Sequence, residues 1–247
     1  MLQNIIILFF ILYTLGISGC KYFDTDNNEP IIPAEESYAK GEILLEEKKY
    51  STAAKEFSNI YFQHPGNPIT PYAEFMEAYC LYKAKKYLEA IDVIKEFIEL
   101  HPGNKYLSDA YYLQISCYMN EISDVDHDQE STIKAMNLAE IFIKKFPHSK
   151  YINQVKSELY LLQDYVTGHD ISIGNYYMRK NDPIAAISRY QSAKRRFPTS
   201  IYHAESIYRL AQASKALGIK SDEYFYTNLL KTQYPNSRWL SINADKK

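Results

Sequence analysis

The chain has 247 residues, 46% of them hydrophobic and 23% charged, which is enough for one large domain or an array of repeats. Its net charge of −2 excludes binding of nucleic acid by bulk positive charge, so we expect no nucleic-acid partner. Residues 176–247 hold 13 Lys and Arg against 5 Asp and Glu. This asymmetry favours a basic surface that could contact an acidic partner, although solvated basic helices without a partner would have the same composition.

The first 19 residues are typical of a secretory signal peptide. The apolar run over residues 5–17 is too short to span a bilayer, which takes about 20 residues. The small residues Ser18 and Gly19 follow it, and Cys20 comes next. The stretch "ISGC" resembles the bacterial lipobox, which predicts a lipid attached to Cys20. The alternative is an uncleaved membrane anchor with an incidental cysteine.

Residues 20–34, with Pro30 and Pro33, are expected to form a tether between the lipid and the first helix. Because acyl chains insert into a bilayer, the tether would hold the rest of the chain at a membrane surface.

An internal repeat organises the rest of the chain. Four prolines mark the repeats: Pro65, Pro102, Pro147 and Pro198. An alanine lies 12 residues before each of them, at Ala53, Ala90, Ala135 and Ala186. A large or apolar residue lies eight residues before each of them, at Phe57, Ile94, Ala139 and Tyr190. Small residues precede three of these alanines by 12 positions, at Gly41, Ala78 and Gly174. This spacing is the tetratricopeptide pattern G-x2-Y…A-x3-F…P.

The pattern predicts an all-α, right-handed tetratricopeptide superhelix of about five helix pairs. Units 1–3 are expected in residues 35–149, and a long helix with units 4–5 in residues 150–247. A polar insert at 120–131 lengthens the third unit, and the wide proline spacing after it predicts a long helix near 150–178 that links the third and fourth units.

The two internal cysteines occupy equivalent positions, since Cys80 and Cys117 each lie 15 residues after a helix-ending proline. Equivalent atoms of stacked helices are about 9–10 Å apart, which is too far for a disulfide. We therefore expect two free, buried thiols, with a disulfide as the alternative.

No catalytic or metal-binding motif is present. The chain lacks H-E-x-x-H, G-x-S-x-G, a P-loop and C-x2-C. The acidic stretch from Asp124 to Glu130 opens like a calcium loop, but Gln129 and Ala135 stand where that loop needs glycine and glutamate. We predict a protein that is not an enzyme and needs no cofactor or metal. An envelope hydrolase or transglycosylase is the alternative from another class.

Aromatic residues follow one face of the predicted first helix of unit 2: Tyr72, Phe75, Tyr79 and Tyr82. Tyr38 of unit 1 and Tyr112 of unit 3 occupy the same register in their own first helices. Two interpretations stay open. The rings could line a groove for an extended peptide, or they could pack against neighbouring helices.

Three stretches carry a resemblance to a known family: "YAEFMEAYCLYKAKKYLEAI" (72–91), "FIKKFPHSKYINQVKSELYLLQD" (142–164) and "IGNYYMRKNDPIAAISRYQSAKRRFP" (173–198). With the lipobox, the repeats and the long helix, they resemble the BamD family, the lipoproteins of the outer-membrane β-barrel assembly (BAM) machine. The resemblance implies a scaffold anchored by lipid on the periplasmic face of the outer membrane.

The resemblance also implies partners. Arg189, Arg195 and Arg196 match the basic helix that binds the periplasmic domains of the insertase BamA, and the aromatic face matches the region that receives unfolded barrel proteins. Other BAM lipoproteins are further expected partners. The alternative function is another periplasmic tetratricopeptide lipoprotein that coordinates cell-envelope or peptidoglycan synthesis.

Overall fold

The computed structural model describes residues 31–122, 124 and 128–244. All the described helices lie in one compact region, residues 34–247. These helices are α1 (Ala34–Glu46), α2 (Tyr50–Gln63), α3 (Thr70–Lys83), α4 (Tyr87–Leu100), α5 (Leu107–Asn120), α6 (Glu130–Lys145), α7 (Ile152–Arg179), α8 (Pro183–Arg196), α9 (His203–Ala216), α10 (Lys220–Gln233) and α11 (Arg238–Ala244). The described ranges contain no β-strand.

Successive helices pack as pairs, from α1 with α2 to α9 with α10, and each pair also contacts the next. This confirms the predicted all-α tetratricopeptide fold of five helix pairs. The short α11 follows the fifth pair and packs against α9.

Small residues bring the two helices of a pair together. Gly41 of α1 faces Phe57 of α2, which is fully buried, and a Cβ at Gly41 would lie 2.8 Å from the ring. Gly174 of α7 faces the buried Tyr190 of α8 even more closely, since a Cβ there would lie 2.3 Å from the ring. The ring therefore occupies the space that a side chain on the first helix would need.

The long helix is also present. α7 runs unbroken for 28 residues, packing on α6 through its first half and on α8 through its second. It closes the third unit and supplies the first helix of the fourth, as the proline spacing predicts.

The turns between units repeat one device. A side-chain oxygen two residues after the proline accepts a hydrogen bond from a backbone N–H two residues further on. The acceptors are Asn67, Asn104, Ser149, Ser200 and Ser237, at N···O distances of 2.9–3.3 Å. Each such turn directs the chain into the next helix.

Both internal cysteines are free and buried, which confirms the prediction. Burial raises the pKa of Cys80 and of Cys117 to about 12, with small contributions from Glu77 and Glu121 respectively. Both thiols therefore stay protonated and unreactive at neutral pH.

Candidate partner-binding surfaces

The aromatic face of the first three units forms ring contacts between helices. Phe75 of α3 stacks on Tyr106, which precedes α5, with centroids 5.5 Å apart and planes 8° apart. Tyr72 also contacts Tyr106, at 4.8 Å, and Tyr38 of α1 at 5.9 Å. Tyr112 of α5 stacks on Tyr151, which precedes α7, at 4.0 Å. The rings therefore contribute to the contacts between units.

These rings nevertheless stay partly exposed, as do Tyr79 and Tyr82. Tyr79 carries the ammonium of Lys83 over its ring at 5.5 Å, and Tyr82 contacts Tyr87 at the start of α4. Packing and an accessible aromatic surface thus coexist on one face, and the peptide groove stays a prediction.

Sequence reasoning missed the partners of this face, Tyr106 and Tyr151. Each lies four residues after a helix-ending proline, and Trp239 does the same after Pro235 and stacks on Tyr208 of α9. The repeated Pro-x3-aromatic spacing is the signal that could have identified them.

The three predicted arginines of α8 divide into two groups. Arg189 and Arg196 lie one above the other and both contact Asp170 of α7, with N···O distances of 3.6 and 3.8 Å. Ser192 lies between them and donates a hydrogen bond of 2.7 Å to the same carboxylate. Asp170 is only 5% exposed, so α8 is fixed to α7 by a buried anion with three partners.

Arg195 has a different environment. Its side chain is exposed, and no acidic partner is found for it in the described part of the chain. With Gln191 and Lys194 of α8 and Tyr226 of α10, it lines a shallow depression. Arg195 is therefore a cation available to a partner, whereas Arg189 and Arg196 also hold the fold together.

An acidic pocket lies on units 1 and 2. Glu74 and Glu77 of α3 and Glu96 of α4 line it with Tyr61 and the exposed Phe62 of α2. Burial raises the pKa of Glu77 to about 7, against a hydrogen bond from Ser58, and the two neighbouring carboxylates raise it further. Burial also raises the pKa of Glu74, although its 2.8 Å bond to His101 opposes this.

Three further observations concern anchoring and metals. The predicted lipid site, Cys20, lies outside the described residues. Of the helices described, none combines the length and apolar character needed to cross a membrane. Within the same ranges, no group of three or more His, Cys, Asp or Glu residues could hold a metal ion.

Comparison with known proteins identifies the family. The sequence profile of the YfiO family, described as outer membrane lipoprotein, matches residues 30–230. The outer membrane protein assembly factor BamD of Rickettsia prowazekii is 40% identical over 227 residues, covering 92% of this chain and 90% of that protein. BamD of Caulobacter vibrioides is 28% identical, covering 84% of this chain and 68% of that protein.

Among solved structures, the TPR2AB domain of yeast Sti1 in complex with pHSP90 is similar, with a TM-score of 0.47 and 14% identity over 84% of this chain and 80% of that one. The profile and the curated relatives decide the assignment: the chain belongs to the YfiO family of outer membrane lipoproteins, and it is an outer membrane protein assembly factor.

Proposed function

We propose that the chain is a non-catalytic scaffold of barrel assembly, anchored to the outer membrane by a lipid on Cys20. Its α8 surface binds the periplasmic domains of a BamA-type insertase, and its first three units hold unfolded barrel proteins. Other lipoproteins of the same machine are further partners. The relatives named BamD support this role, and labelling of the chain with palmitate that is lost in Cys20→Ser tests the anchor.

The observation that carries the insertase contact is the exposed guanidinium of Arg195, for which the described residues provide no acidic partner. It lies beside Arg189 and Arg196, whose side chains are 46% and 42% exposed and share a single carboxylate. The α8 surface therefore keeps a positive excess that suits an acidic patch on a partner.

The decisive experiment exchanges the charge at Arg195. Full-length chain in detergent is co-purified with the periplasmic domains of the insertase. We expect Arg195→Glu to weaken binding by at least about tenfold, because it replaces a charge-assisted contact with repulsion. Lys231→Glu, on the exposed side of α10, makes the same charge change elsewhere and is expected to bind like the unchanged chain. Equal binding by all three proteins would overturn the assignment of α8.

Arg189 is a poor choice for this experiment. A glutamate there would face the buried Asp170, so any loss of binding would combine a contact effect with a weaker α7–α8 packing. Arg195→Glu avoids this ambiguity, and a thermal melt of the variant checks it.

The aromatic face is tested separately by photo-crosslinking. A photoreactive phenylalanine analogue is placed at Tyr79, and at Leu88 of α4 as the control, since Leu88 is 64% exposed and lies on the second helix of the unit. We expect an unfolded barrel protein to crosslink at position 79 only. Equal crosslinking at both positions would contradict the groove.

A further inference from the structure

A separate cavity lies between the end of α7, α8 and α9, and it shares no lining residue with the Arg195 depression. It measures about 260 Å³ and is lined by Asn175, Met178, Arg179, Tyr190, Arg209 and Gln212. None of these residues belongs to the surfaces assigned above. The cavity is open to solvent.

Tyr190 forms part of the wall because Gly174 leaves room for its ring. The Tyr190 hydroxyl donates a 2.8 Å hydrogen bond to Oδ1 of Asn175. This bond fixes the Asn175 amide so that its NH₂ group remains a donor. The buried Tyr190 thus serves to orient the polar group of Asn175 in the wall.

The two arginines of the cavity differ in their charge balance. Arg209 is held by Oε1 of Glu205, at 3.1 Å from Nε and 3.0 Å from Nη2, and its charge is compensated there. The rings of Tyr208 and Trp239 also contact its guanidinium, at 5.7 and 5.3 Å. Arg179 is exposed, and no acidic partner is found for it within the described ranges. The cavity therefore keeps about one uncompensated positive charge, that of Arg179.

We propose that this cavity binds the carboxylate of an acidic side chain, Asp or Glu, in an extended polypeptide. Arg179 supplies the charge and part of the hydrogen bonding, Asn175 supplies a further donor, and Met178 contacts the aliphatic stem. One uncompensated cation matches a singly charged carboxylate better than a phosphate of charge near −2. Because the cavity is open to solvent, the chain that carries the side chain can continue outside it. The inference rests on the proposed function in that the ligand is a polypeptide.

The test uses a matched pair of probes and a reporter that the protein already contains. Two heptapeptides, acetylated and amidated at their ends, differ only in a central Glu or Gln. Trp239 is the sole tryptophan of the chain and contacts Arg209, so its fluorescence reports occupancy of the cavity. Titration calorimetry on the full-length chain in detergent measures the same affinities independently.

We expect the Glu peptide to bind at least about tenfold more tightly than the Gln peptide, because a charge-assisted hydrogen bond contributes more than a neutral one. Arg179→Gln should abolish this preference, while Lys180→Gln, the adjacent exposed cation outside the cavity, should retain it. Arg179→Lys should retain part of it, because the charge stays and the planar fork is lost. Since Arg179 is exposed, the melting temperature of each variant should stay unchanged.

The proposal is overturned if the two peptides bind equally, if the preference survives Arg179→Gln, or if Lys180→Gln removes it equally. Inorganic phosphate can also be added as a competitor of the bound Glu peptide. If it displaces that peptide at a lower concentration than further Glu peptide does, the proposal is overturned in favour of a phosphate site. Tighter binding of a peptide with a free carboxyl terminus than of either amidated probe would likewise overturn the proposal. The measurement contains no insertase domain, so its failure is distinct from failure of the Arg195 experiment.

Discussion

Residue size is balanced across the two helices of the first, third and fourth pairs. A small residue on the first helix faces a large one on the second, as with Gly41 and Phe57. In the third unit the sizes are exchanged: Ile115 lies on α5 and Ala139 on α6, and both are fully buried in one cluster. The combined volume therefore matters more than which helix carries the larger side chain.

Gly174→Ala is expected to destabilise the chain strongly. A methyl group would lie 2.3 Å from Cε1 of the buried Tyr190, so the ring or a helix must move, at a cost of about 1–3 kcal/mol in the free energy of unfolding. Urea unfolding followed by circular dichroism measures this. Gly66→Ala is the control, since nothing lies within 4 Å of a Cβ there. Similar losses in both variants would contradict the argument.

Glu77 predicts a pH dependence of stability. Burial, with Glu74 and Glu96 adding to it, raises the pKa of this carboxyl from an ordinary value of 4.5 to about 7, so the folded chain binds the proton more tightly than the unfolded chain. The free energy of unfolding should therefore fall as the pH rises from about 4.5 to about 7. Glu77→Gln should flatten this slope in urea unfolding at several pH values. Glu99→Gln, an exposed change on α4, should leave it intact, and an unchanged slope in Glu77→Gln would refute the prediction.

At the scale of elements, the turn between the two helices of a pair contains, in four pairs, one residue in the left-handed conformation. The residues are Lys48, Lys85, Asn181 and Gly218, with φ between 60° and 72°. Around Lys85, the N–H of Lys86 bonds to the carbonyl of Leu81 and its own N–H to that of Tyr82, which is the Schellman arrangement. Only Gly218 has the residue type that adopts this conformation without steric cost.

Lys85→Gly should therefore stabilise the chain, by up to about 1 kcal/mol, because it removes the strain of a left-handed side chain in the folded state. The greater freedom of glycine in the unfolded state offsets part of this gain. The melting temperature is the measurement. Lys95→Gly, in the interior of α4, should instead lower it, since glycine is unfavourable inside a helix. A decrease in both variants would show that the turn is not strained.

The elements and pair spacings are predictable from sequence because they depend on local rules, namely which residues fit between two helices and which end one. The role of Asp170 cannot be predicted in this way, since an acidic residue in a helix usually faces solvent. Nothing in the neighbouring sequence indicates that two arginines of α8 contact it. The stacking of Phe75 on Tyr106 is likewise a contact between units. Ile115 escapes the spacing rule because the insert at 120–131 shifts the count in the third unit.

At the scale of the whole molecule, stability should be uneven, since repeat arrays gain stability from neighbours on both sides. α4 and α10 are both 14 residues long and both second helices of a pair, but α4 buries four residues and α10 buries only Leu230. We expect amide hydrogens of α10 to exchange faster than those of α4 in the chain without partners. Hydrogen exchange read by mass spectrometry checks this, and equal protection would contradict it.

The continuity of α7 has a mechanical consequence. At 28 residues it is about 42 Å long, and it contains no loop at which the third and fourth units could swing. A change of angle between them must bend one rod of consecutive peptide hydrogen bonds. A force applied to the first three units would therefore be transmitted through α7 to the last two, since no flexible joint between them could absorb it.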